Sequence, residues 1–188
     1  MTFRNLFLAS AVALLVFSIA PVTVSAQRDY FTNEELELVR DAQDIDLRIK
    51  VLTHAIDRRL SVLKIVPETA KESEKWGPLP EGSRSQLLYD VKRILQKAVD
   101  DIDDTASHVN TAQARTIDNP TKKDKADPPF KRALRELNAA AVRFRPIFQG
   151  ELDRSTDRKG DGPLLDAVDL CDQIIAAIAK TDTEPAKK

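Results

Sequence analysis

The stretch SRSQLLYDVKRILQKAVDDIDDTASHVNTAQART, residues 83–116, decides the fold class. Leu87, Val91, Ile94, Ala98, Ile102, Thr105 and Val109 recur in steps that alternate between three and four. That spacing keeps one stripe of a helix facing a partner. Leu88, Leu95 and Val99 widen the stripe to the breadth of a bundle helix rather than a bare two-stranded seam. Ser83 with Gln86 three residues on forms a capping box, in which each group satisfies an orphan amide of the first turn. Asn119-Pro120 stops the far end, because proline lacks a donor and pushes the residue before it out of helical geometry. The spacing predicts a helix over 83–117. Such a helix buries its stripe only against other helices.

Upstream, Thr32 and Glu35 form a second capping box, with Phe31 placed to pack on Leu36 as a hydrophobic staple. Leu38, Ala42, Ile45, Ile49, Leu52, Ile56, Leu60 and Leu63 then hold one face, predicting one helix over 32–65. Arg40, Asp41, Asp44, Asp46, Arg48, Lys50, Asp57, Arg58 and Arg59 read as its solvated face. Pro67 ends it, and residues 67–82 make a long connection. Glu68 to Lys75 has room for a turn or two of exposed helix, whereas two prolines and a glycine bar regular structure from Trp76 to Pro80. Trp76, the only tryptophan, is expected to fold back over the end of the helices with its N–H at the rim; the competing role is a contact anchor on a loop.

Downstream, residues 120–129 form a basic, polar link carrying Lys122, Lys123 and Lys125. Asp127 before Pro128-Pro129 reads as a helix cap with proline in the first turn. Phe130, Leu134, Leu137, Ala141, Phe144 and Phe148 make a third stripe, predicting a helix over 128–153. Pro146 withholds a donor from the carbonyl of Val142, so a kink or break is expected there. Arg132, Arg135, Arg143 and Arg145 read as a solvated basic face. After a polar turn with Gly160 and Gly162, Leu164, Val168, Cys171, Ile174, Ile175 and Ile178 predict a fourth helix over 162–181. Thr183 to Lys188 reads as a frayed tail. No stretch alternates with period two over a strand length. The expected fold is all-α, an antiparallel four-helix bundle running up-down-up-down; the runner-up is a three-helix bundle with the fourth stripe across one end.

The chain opens with a segment outside that fold. Arg4 precedes an apolar run from Leu6 to Ala20, and Val24-Ser25-Ala26 fits the processing site of a secretory signal peptide. The run is shorter than the ~20 residues a spanning helix needs. Cleavage after Ala26 is expected, leaving no membrane anchor and a periplasmic or secreted product. Removing 26 residues from 188 leaves 162 in a single domain, 27–188, with 28 basic and 30 acidic residues. That balance argues against nucleic-acid binding, which needs a basic face to displace counterions. Cys171 is the only cysteine, so no internal disulfide is available and packing must supply the stability. The absence of an Asn-x-Ser/Thr acceptor suits a bacterial envelope or exterior.

Catalytic and metal chemistry finds little support. A di-iron bundle site needs Glu-x-x-His pairs, yet Val51 and Thr105 stand three residues before His54 and His108. A single cysteine excludes Cys-x-x-Cys-His haem attachment, and Met1 is the only methionine. Asp104 with His108, and His54 with Asp57, are one turn apart but read as solvated pairs. Asp100, Asp101, Asp103 and Asp104 are spread around their helix as a solvated run. No nucleophile elbow or phosphate loop is present. Cys171 lies on an apolar face, where a thiol is a small hydrophobe with a raised pKa. The expectation is no enzyme, no cofactor and no metal, but an interaction or structural module. Its candidate partner contact, to a protein partner or a second copy, is Leu36, Leu47, Val51, His54 and Trp76. The alternative is a periplasmic binder of a small ligand or metal ion.

Overall fold

A computed structural model describes residues 29–67, 74–115, 128–156 and 160–183, excluding the side chains of 109–115 and 181–183. The expected signal peptide, the start at Gln27, the Asp127 cap, the tail beyond Thr183 and residues 68–73 lie outside the described residues. Within them the protein is all-helical, without strands: α1 Asn33–Asp41, α2 Ile45–Val62, a 3-10 turn Glu74–Trp76, α3 Arg84–Arg115, α4 Pro129–Arg154 and α5 Gly162–Thr183.

Both capping boxes form. Thr32 Oγ1 accepts from the Glu35 amide at 3.2 Å, and Glu35 Oε2 accepts from the Thr32 amide at 3.0 Å. Ser83 and Gln86 repeat the exchange at 2.8 and 3.3 Å. Each such cap stabilises its helix by about 1 kcal/mol.

The helix expected over 32–65 is two helices. Ala42 leaves helical geometry at ψ 79°, and the chain restarts after Asp44. Arg48 Nε donates to the Ala42 carbonyl at 3.0 Å and so satisfies part of the break. The contact that needs the break joins two residues 24 apart in sequence. A continuous helix would hold Glu35 and Arg59 about 36 Å apart, yet Arg59 Nη2 and Glu35 Oε2 meet at 2.8 Å. The chain folds back at 42–44 so that α1 lies against α2.

The end of α2 uses a left-handed residue. Lys64 has φ 57°, the Ile65 amide donates to the Leu60 carbonyl at 2.9 Å, and the Lys64 amide donates to Ser61 at 2.8 Å. This is a Schellman stop with lysine where glycine is usual.

Pro146 does not break α4, which is helical from 129 to 154. Pro146 and Val142 are both exposed, Val142 at 54%. The carbonyl that loses its donor is therefore on the watered side, where the loss is small.

The long helices share one apolar core: Ile49, Leu52, Ile56 and Leu60 from α2, Val91, Ile94 and Leu95 from α3, Leu137, Phe144 and Phe148 from α4, Leu164, Ala167 and Cys171 from α5. Phe144 and Phe148 stack with centroids 5.7 Å apart. Helix α2 packs on α3 and α4, and α5 packs on α3 and α4, while α2 and α5 do not meet. Asp46 pairs with Arg132 and Asp57 with Arg143, the same eleven-residue step on both helices, so α2 and α4 run in the same direction. Arg59 lies 3.8 Å from Asp90, bringing the end of α2 to the start of α3. Helix α3 therefore runs against α2, and α4 runs with α2. The heaviest packing joins α2 to α3 and α4 to α5, whereas α3 and α4 touch less. No helix among the described residues is long and apolar enough to cross a membrane.

Candidate binding groove

The start of α3 and the end of α2 meet over a buried charge cluster. Glu35, Arg58, Arg59 and Asp90 are all essentially without exposure. Arg58 Nη1 donates to Glu35 Oε1 at 2.7 Å, and Arg59 Nη1 donates to the same oxygen at 2.9 Å. Arg58 Nη2 also donates to the carbonyls of Gly77 and Pro78, at 3.1 and 2.6 Å. Arg59 reaches the Ala55 and Tyr30 carbonyls at 2.7 and 2.5 Å. Glycine is favoured at 77: its φ is 61°, and a Cβ would stand 2.6 Å from the Glu34 side chain, which would have to shift.

Burial pushes the Glu35 carboxyl up, but the Arg59 hydrogen bond and charge, the Thr32 amide and the Arg58 charge more than offset it, leaving it below the ordinary carboxylate range. With its oxygens taken by both guanidiniums and an amide, Glu35 has no free lone pair for proton transfer. The cluster ties α1, α2, the 3-10 turn and α3 together. It is a fastener.

Arg58 and Arg59 are thus corrected from the solvated face to the interior. Arg59 stands seven residues after Leu52 and three after Ile56, on the stripe itself, and Asp90 stands three after Leu87. Charged residues in stripe register were the available signal. Three of the α4 arginines are likewise not simply solvated. Arg132 donates to Asp46 at 2.8 Å, Arg143 grips Asp57 through two bonds at 2.6 and 2.9 Å, and Arg145 grips Asp172 at 2.6 and 3.2 Å.

The five candidate contact residues do not make one strip. Leu36 is half-buried on α1, separated from the others by the chain reversal. Val51 is half-buried and packs against the core, whereas Leu47 is 48% exposed. His54 and Trp76 do come together, with ring centroids 4.3 Å apart, and Arg58 lies 5.6 Å over the indole. Trp76 is 9% exposed, so its ring is used inside the molecule.

Cys171 is fully buried, and burial, then the Asp172 charge, pushes its thiol up to about 12. The aspartates of α3 are held locally, Asp101 by Lys97 at 3.0 Å and Asp100 by Gln96 at 2.9 Å. His108 lies 3.5 Å from Asp104 on an exposed surface. Among the described residues no three His, Cys, Asp or Glu side chains converge as metal ligands.

The site that periodicity did not reveal is an apolar groove of about 470 Å³ between α3, α4 and α5. Val99, Ile102 and Ala106 line it from α3, Phe130, Leu134 and Leu137 from α4, and Ile174, Ala177 and Ile178 from α5. Asp103 and Gln173 stand at its rim, both exposed. Asp90 to Ile102 is about 18 Å along α3, so the groove lies well away from the charge cluster. It forms because Ala106 and Ala177 leave room where larger residues would close the core. Its lining is concave, apolar and sparingly polar, which suits holding an apolar group but supplies no nucleophile or acid–base pair. A wider, shallower recess lies between Ser61–Pro67 and Pro78–Gly82.

No protein-family model, no curated protein and no solved structure matches the chain.

Proposed function

We propose that the protein is an exported, non-catalytic binding module. On this reading a signal peptide is removed after Ala26, and residues 27–188 form a four-helix bundle that acts in the periplasm or outside the cell. The bundle holds an apolar ligand in the groove between α3, α4 and α5. The observation that carries the reading is the groove itself: about 470 Å³ of open space lined by nine apolar side chains. Pockets of this size and lining are typical of small-molecule sites. The reading moves the contact surface away from Leu36, Leu47, Val51, His54 and Trp76, four of which are at least half-buried. It favours the small-ligand alternative over a purely structural module. The absence of catalysis is supported by the occupied lone pairs of Glu35 and the buried, weakly acidic thiol of Cys171.

The test is a titration of the mature protein with a neutral fluorescent probe, N-phenyl-1-naphthylamine. Saturable enhancement is expected, and Ala106→Phe, which fills the groove, should abolish it while helicity by circular dichroism is kept. Equal binding by wild type and Ala106→Phe would overturn the assignment. Export is tested separately: N-terminal sequencing should find Gln27, and an intact Met1 on a membrane-bound form would refute processing.

A further inference from the structure

The rim of the groove narrows the ligand class, an inference that rests on the groove being a binding site. Asp103 is the one ionised side chain among the lining residues, and it is an acid. Gln173 also lines the groove, from α5, and offers an amide oxygen as an acceptor beside its N–H donors. Phe130 supplies an aromatic ring from α4, and ring faces attract cations. Nearby, Asp100 and Asp104 are exposed on the same helix, Asp100 accepting from Gln96 and Asp104 lying 3.5 Å from His108; Lys97 is engaged with Asp101 and Arg132 with Asp46, and Lys131 is exposed beside Phe130. A negative charge brought to this rim meets Asp103 without a lining cation to balance it. A positive charge meets acceptors.

The apolar part has a definite size. Val99 to Ala106 spans about 10 Å of α3, and Phe130 to Leu137 spans about the same on α4. That is close to the length of an extended eight-carbon chain.

We infer that the groove takes a small cationic amphiphile, with its apolar body between α3, α4 and α5 and its positive head against Asp103 and Gln173. Three probes of equal chain length, each below its micelle concentration, read this out by calorimetry on the mature protein: octyltrimethylammonium, octanol and octyl sulfate. The expected order of affinity is cation, then neutral, then anion. Asp103→Asn keeps the shape of the rim and should weaken the cation by about two- to fivefold, the range of an exposed ion pair, with octanol unchanged. Binding of octanol equal to that of the cation, or an Asp103→Asn variant that binds the cation as wild type does, overturns the charge preference and leaves the groove assignment standing. Failure of all three probes overturns both. Light scattering covers the remaining occupant: a dimer that Ala106→Phe splits would assign the groove to a second copy and overturn the proposal.

Discussion

Replacing Glu35 by alanine should be among the most destabilising single changes in the protein. Glu35 accepts three bonds from the guanidiniums of Arg58 and Arg59 and one from the Thr32 amide. Without it, Arg59 keeps the Ala55 and Tyr30 carbonyls and Arg58 keeps Gly77 and Pro78. Two buried cations are then left with Asp90, 3.8 Å from Arg59, as the nearby carboxylate. Breaking a buried pair in this way costs about 3–5 kcal/mol, against a typical total of 5–15 kcal/mol. With an m-value of about 2 kcal/mol/M, the urea midpoint should fall by about 1.5–2.5 M. Asp57→Ala gives the contrast: it removes an equally direct pair, to Arg143, but that arginine is 49% exposed, and about 1 kcal/mol or less is expected. Equal midpoint shifts for the two variants, or a Glu35→Ala shift below about 0.5 M, would refute the argument that burial sets the scale. The acid limb provides a second reading. The folded Glu35 pKa is depressed below its ordinary 4.5, so the unfolded chain takes up the proton first as pH falls. Its stabilisation is complete above about 4.5 and is lost as pH drops through the folded value. Glu35→Gln should therefore flatten stability against pH below 4.5. A residual slope of the same sign should remain from Asp46, whose pKa the Arg132 hydrogen bond lowers despite burial.

Cys171 should label with thiol reagents only as fast as the protein opens, since its thiol is buried with a pKa near 12; rapid labelling of the native protein would contradict that placement. Cys171→Ala should cost about 1–2 kcal/mol through a small cavity and leave helicity unchanged. Lys64→Gly relieves a left-handed lysine at the end of α2 and should raise stability by about 0.5–1 kcal/mol; a loss would mean that the Schellman stop carries no strain.

Helices of 18 residues or more announce themselves by repeated apolar spacing, and each of the four long helices begins within a few residues of its cap or proline signal, apart from α2. The exception is instructive. The stripe from Leu38 through Ala42 to Ile45 and Ile49 stays in register across the break, so periodicity carries no trace of the reversal. Arg59 and Asp90 sit on stripes and were legible as anomalies, but Arg132, Arg143 and Arg145 were not. Which carboxylate an arginine meets depends on which helices are neighbours, and that is a property of the assembled molecule. Val51 fails for the same reason: it lies off the main stripe, yet it packs against the assembled core and is half-buried. The groove was the least legible feature of all, because it is the space three helices leave between small residues that look ordinary in each helix alone.

Among the described residues the long helices pack chiefly in two pairs, α2 with α3 and α4 with α5. Ion pairs that join them, Arg84–Glu151, Lys92–Asp166, Asp46–Arg132 and Asp57–Arg143, span 67 to 86 residues, whereas Arg145 and Asp172 within the second pair are 27 apart. Another copy presents the same side chains, so those joining contacts do not by themselves distinguish a partner from the chain's own helices. An exchanged dimer would keep the same core and the same ion pairs, with two grooves, each built from both chains.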